Sequence, residues 1–149
     1  MKKIHRFQTK RVYPSPDSND HPFGDKSQSF VDVLIDGRSM HEMLKKHERI
    51  PCFGWGIQQF QQQNIDYFLL DELHPYLYHR YPLMVCSWCG DEDCGFISVL
   101  VEREGNLVTW QDFRIEPDDR SLPLGPFTFT WDEYERELRN TYTTNERSR

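Results

Sequence analysis

No stretch of this 149-residue chain is apolar for long enough to span a bilayer, which takes about 20 consecutive residues in a helix. Met1-Lys2-Lys3 begins as a signal peptide would, but no apolar run follows, so the chain is expected to stay in the cytoplasm. Positive charge is also short: 18 Lys and Arg against 24 Asp and Glu leave a net charge of −6. That balance opposes broad contact with nucleic-acid phosphates or anionic lipid, and favours a basic protein as partner. The basic N-terminal run interleaves its charges with Ile4, Phe7, Val12 and Tyr13, as the polar positions of an edge strand would. A serine or cysteine nucleophile elbow, a phosphate-cradling glycine loop and an H-E-x-x-H helix are all missing, and there is no internal repeat. Nothing here spells out a reaction.

What the chain does have is apolar and aromatic substance. Hydrophobic residues make up 37%, with ten Phe, seven Tyr and four Trp. A chain of this size hides roughly two thirds of its unfolded surface in a single core, so it needs neither metal nor disulfide to fold. Residues 1–149 read as a single domain, with the polar segment 14–28 expected to be a mobile loop. Strand patterns run from about Ile4 to Tyr13 and through Val31, Val33 and Ile35. Ser39 with Glu42 predicts a capped helix carrying Met40, Met43, Leu44 and His47 on one side and ending near Pro51; His41 falls off that stripe and is expected in solvent. A second helix follows from the spacing of Ile57, Phe60 and Asn64 and then of Ile65, Phe68, Leu69 and Leu73, with the glutamines between Gln58 and Gln63 as its polar face and Pro75 as its limit. Strands near 81–86, 95–103 and 107–115 form a predicted antiparallel meander, and Thr130 with Glu133 predicts a capping box for a last helix through Trp131, Tyr134, Leu138 and Tyr142. The fold class is α+β: a mostly antiparallel sheet with two or three helices.

The densest chemistry lies in "VCSWCGDEDCGF", Val85 to Phe96. Cys86-Ser87-Trp88-Cys89-Gly90 has the form of a knuckle that points two sulfurs at one metal, and Cys94-Gly95 returns a third. A zinc site wants a fourth ligand, for which Cys52, His74 and His79 are candidates from outside the loop, and Asp91 and Asp93 from within it. Two other readings stand beside the metal. A thiol redox centre is disfavoured because no helix follows the cysteines and because Asp91, Glu92 and Asp93 should raise the thiol pKa values. A plain hairpin tip would use its cysteines as small apolar residues.

Elsewhere, His74 and His79 beside Asp71 and Glu72 read as ordinary loop histidines. Val108, Trp110, Asp112 and Arg114 are expected on one strand face, where Asp112 and Arg114 read as an ion pair flanking Trp110; the functional alternative has Trp110, Asp112 and Arg114 meet a partner. Trp55, between Gly54 and Gly56, is expected to tuck into the core; Trp88 is expected to be exposed as a partner anchor.

Taken together, Cys89-Gly90, Cys94-Gly95, Val108-x-Trp110-x-Asp112-Phe113 and Gly125-Pro126-Phe127-x-Phe129 before a final helix resemble a group of short uncharacterised bacterial proteins. The resemblance spans roughly the C-terminal half. It implies a bacterial cytosolic protein and carries no activity. The function expected from all this is a small binding protein, antitoxin- or immunity-like in one concrete form, with zinc held by the cysteine turn. The alternative is a thiol-redox or metal-dependent enzyme built on Cys86, Cys89 and Cys94.

Overall fold

The computed structural model describes residues 3–90 and 92–143. Its strands, in chain order, are β1 (Phe7–Val12), β2 (Phe30–Ile35), β3 (Arg38–Ser39), β4 (Ile50–Pro51), β5 (Arg80–Val85), β6 (Phe96–Glu104), β7 (Leu107–Glu116), β8 (Arg120–Ser121) and β9 (Phe127–Thr130). The α-helices are α1 (Met40–Met43), α2 (Gln58–Phe68) and α3 (Trp131–Arg139). Among the described residues these build two antiparallel sheets, β1-β2-β3 and β4-β5-β6-β7-β8, with β9 sharing the outer edge of β7 with β8. This is the α+β class the periodicity implies, and the meander β5-β6-β7 lies where alternation places it.

Two single bridges join the sheets. Val31 donates to the Phe53 carbonyl at 2.9 Å, just past β4, and His5 donates to the Thr128 carbonyl of β9 at 2.7 Å. The path of pairings therefore returns to its start, except where β1 parts from β9. Helix α3 fills that gap. Phe7 N–H donates to Glu133 Oε1 and Thr9 N–H to Glu137 Oε1, each at 2.8 Å, and the Thr9 hydroxyl adds a bond to Glu137. The spacing matches: carboxylates four residues apart rise about 6 Å along a helix, and amides two residues apart advance about 6.7 Å along a strand. The helix supplies in carboxylates what a neighbouring strand would supply in carbonyls.

That use of Glu133 corrects one expectation. Thr130 makes no side-chain cap, and the Glu133 carboxylate, the other half of the expected box, is engaged by Phe7 N–H and by Arg6 Nε at 2.9 Å instead. The Ser39 cap does form, its hydroxyl accepting from Glu42 N–H at 3.0 Å while donating to buried Asp32. Helix α1, however, is one turn long. A 3-10 turn at Lys45–His47 and a left-handed Glu48 (φ 56°) redirect the chain into β4, whose Ile50 is fully buried. His41 is not in solvent: it is buried against Phe30, with Nε2 at 2.9 Å from Asp20. The glutamine run is likewise not all surface. Gln61 is buried and holds Thr143 through both ends of its amide, and Asn64 donates to the Cys52 carbonyl.

One continuous core results. Phe7, Phe129, Trp110 and Phe68 surround Tyr134, whose hydroxyl accepts from the Trp110 indole at 3.1 Å and donates to the Phe68 carbonyl at 2.6 Å. Segment 14–28 is irregular, with His21 buried and bonded to the Ser15 carbonyl, and with Phe23 packed edge-on to a buried Trp55. Among the described residues no helix is long and apolar enough to cross a membrane.

The edge arrangement is testable. Replacing Glu137 by alanine leaves the Thr9 amide without its acceptor, which should cost about 1–3 kcal/mol in urea unfolding and promote self-association of the bared edge. Glu137→Gln, which keeps an acceptor oxygen, should lose less. Equal stability for wild type and Glu137→Ala would show that the carboxylate does not serve the edge.

Candidate metal centre

Strand β5 delivers Cys86, and a tight turn closes with Gly90 N–H on the Cys86 carbonyl at 2.8 Å. A 3-10 turn at Glu92–Cys94 then brings the chain back, closed by Gly95 N–H on the Glu92 carbonyl. Gly90 (φ 66°) and Gly95 (φ 81°) both take left-handed backbone, which glycine adopts without steric penalty. These two reversals decide the geometry. The Sγ atoms of Cys86, Cys89 and Cys94 all lie within 4.8 Å of one another, with Cys89 and Cys94 3.0 Å apart. Four sulfurs about 2.3 Å from a tetrahedral centre sit about 3.8 Å apart, so a metal needs only side-chain adjustment to fit here. The three cysteines form a group that can hold a metal ion.

The electrostatics depart from expectation. Burial pushes the Cys86 thiol up, but backbone N–H groups of Trp88 and Cys89 and the two neighbouring thiols outweigh it, and Cys86 titrates below its ordinary value. Of the acids in the loop, Glu92 turns its carboxylate to His74. Cys94 is pushed up to about 12, chiefly by its hydrogen bond with Cys89, then by burial and the neighbouring thiols. One thiolate is welcome and a second is resisted. A divalent cation among the sulfurs would reverse that resistance by supplying the missing positive charge.

The proposed fourth ligands from outside the loop do not join. Cys52 is fully buried in the core, and burial pushes its thiol far above the ordinary range. His74 has both ring nitrogens engaged, Nδ1 accepting from Tyr76 and Leu77 N–H and Nε2 meeting Glu92. His79 is exposed ahead of β5 and is not among the converging groups. Asp91 and the Asp93 side chain lie outside the described residues. Among the described residues, then, the cluster is three sulfurs.

Trp88 is 63% exposed, with its indole resting on Gly24, where a Cβ would come within 2.3 Å. A groove of about 460 Å³ passes Cys86 and Trp88 between Asn19, Lys45 and Arg49. Trp110, by contrast, is fully buried and offers nothing to a partner. A bulge separates it from Asp112 and Arg114. Register steps from Ser98–Arg114 to Leu100–Gln111, and Asp112 takes φ 54° at the extra position. The face alternation breaks there, so Trp110 and Phe113 both point inward while Asp112 and Arg114 stay half-buried. Asp112 Oδ2 accepts from Arg80 at 2.6 Å and Arg114 at 2.7 Å, and its carbonyl accepts a second bond from Arg80. Arg114 first, then Arg80, hold the carboxyl below its usual range against partial burial. Arg80, buried at the mouth of β5, escaped sequence reasoning because a lone arginine before an apolar strand has no distinguishing pattern.

No protein-family model, curated protein or solved structure matches the chain. The functional reading rests on the geometry of the chain itself.

Asparagine tolerates left-handed backbone, so Asp112→Asn removes charge without adding strain. It should cost about 1–3 kcal/mol, less than breaking a fully buried pair because the carboxylate is partly open to water. Because the folded-state pKa is lowered, the wild-type advantage should be present at neutral pH and shrink below about pH 4, as the carboxylate protonates. Urea unfolding of both proteins at pH 7 and pH 3 checks this; an advantage equal at both would exclude the ionic account.

Proposed function

We propose that this is a small cytoplasmic binding protein whose cysteine hairpin holds zinc as a structural staple while Trp88 faces a protein partner. The observation that carries the reading is the convergence of three sulfurs, with two backbone N–H groups turned onto Cys86. Thiolate ligands in a reducing compartment suit zinc. Bound zinc would supply the charge that keeps the thiols deprotonated and would tie the end of β5 to the start of β6. Asp91, Asp93 or water would complete the coordination. The net charge of −6 favours a basic partner, of which an antitoxin- or immunity-like role is one concrete form; the resemblance of the C-terminal half supports a bacterial cell and no activity. A second reading, thiol redox chemistry, draws on the 3.0 Å approach of Cys89 and Cys94 and on the depressed Cys86.

Elemental analysis and thiol titration of untagged protein, purified without chelator, separate the two. Zinc near one equivalent with unreactive thiols supports the staple; reactive thiols without metal support redox chemistry. Zinc affinity should fall with pH, since the sulfurs must lose protons to bind. Cys89→Ser should release the metal and loosen the tip while the domain remains folded.

Trp88→Ala should change unfolding stability by less than about 1 kcal/mol, against about 3–5 for a buried tryptophan, while weakening capture of the natural partner. A large stability loss would assign Trp88 to the core instead.

A further inference from the structure

We propose that Glu92, His74 and Arg49 form an outer shell that pre-sets the cysteine loop for its metal. The proposal deepens the metal reading above and rests on it. Cys89 and Cys94 are exposed and belong to a short irregular loop, so their positions depend on whatever grips the loop from outside. Two grips are present. Glu92 lies between Cys89 and Cys94, and its Oε1 is 2.8 Å from Nε2 of His74. His74 is only 2% exposed, and its Nδ1 accepts from Tyr76 N–H and Leu77 N–H, each at 3.1 Å. Those two bonds leave the ring proton on Nε2, aimed at Glu92. The imidazole is thus a fixed post, with no nitrogen left for a metal.

From another segment, Arg49 donates to the Cys94 carbonyl at 2.9 Å and to the Gly95 carbonyl at 3.1 Å. Its remaining nitrogen reaches the His47 and Glu48 carbonyls, so the guanidinium bridges two loops through four backbone oxygens. Cys94 is therefore held through its own carbonyl and through its near neighbour Glu92. Folding has already ordered the loop before a metal arrives, so less of the binding free energy is lost to ordering it. Removing outer partners of a metal site typically weakens affinity 10–100-fold.

Cobalt(II) titration, read by its thiolate absorption, and zinc competition against a chelating indicator test this on the full chain. Glu92→Ala orphans the buried His74 N–H, so it should lower the apo unfolding midpoint modestly but leave the protein folded at the titration temperature, while weakening both metals about tenfold or more. Arg49→Ala should do the same. Glu92→Gln, which keeps an acceptor for His74, should stay within about threefold of wild type, because its role is anchoring rather than ligation. Wild-type affinity in both alanine variants would overturn the outer shell while leaving the metal site standing. Glu92→Gln as weak as Glu92→Ala would make Glu92 a ligand and overturn its anchoring role. Wild-type protein that takes up neither cobalt nor zinc would overturn the metal reading and this inference together.

Discussion

The pairing of Glu133 and Glu137 with the free edge of β1 is the constraint on which the rest of the fold leans. Strand edges must find acceptors for their amides, and here the acceptors come from a helix whose pitch happens to agree with the pleat of the strand. Once α3 is held there, Tyr134 stands in the middle of the core with its hydroxyl fully used, and Trp131 lies under the Arg103 guanidinium at 3.9 Å. Had β1 continued beside β9, the helix would have lost its seat and Tyr134 its two partners. Closure by carboxylate and burial of a phenol are one arrangement seen from two sides.

The same ring fixes where chemistry can sit. The β5–β6 hairpin is central to the larger sheet, so its tip projects from a rigid base even though the tip itself is irregular. Segments remote in sequence converge there: residues 19–24 on Ser87 and Trp88, Arg49 on Cys94, and His74 on Glu92. Each contact ends on backbone or on a residue between the cysteines.

Much of this was legible beforehand, and the failures have physical causes. Short apolar runs bounded by turn residues marked β5, β6 and β7, as strands covered on both faces do, and C-x-x-C-G found the knuckle because two glycines mark its reversals. The candidate fourth ligands failed because residue type says nothing about what already occupies a side chain: His74 serves its own loop and Cys52 serves the core. His41 was misplaced because helical spacing was extrapolated through a helix only four residues long. Trp110 was assigned to a surface face because alternation assumes an unbroken pleat, and the bulge at Asp112 leaves no mark in a hydrophobic pattern. Glu133 had two possible uses, one three residues away at Thr130 and one across the chain at Phe7, and only the tertiary position of β1 decides between them.

The bulge sets two requirements on a single position. The backbone at φ 54° is comfortable for glycine, asparagine or aspartate. The two arginines that converge on the side chain ask for a carboxylate, aspartate or glutamate. Only aspartate belongs to both sets. A saturation library at position 112 should therefore behave as two overlapping filters, one conformational and one ionic, and the residue found there is the single member of the alphabet that passes through both.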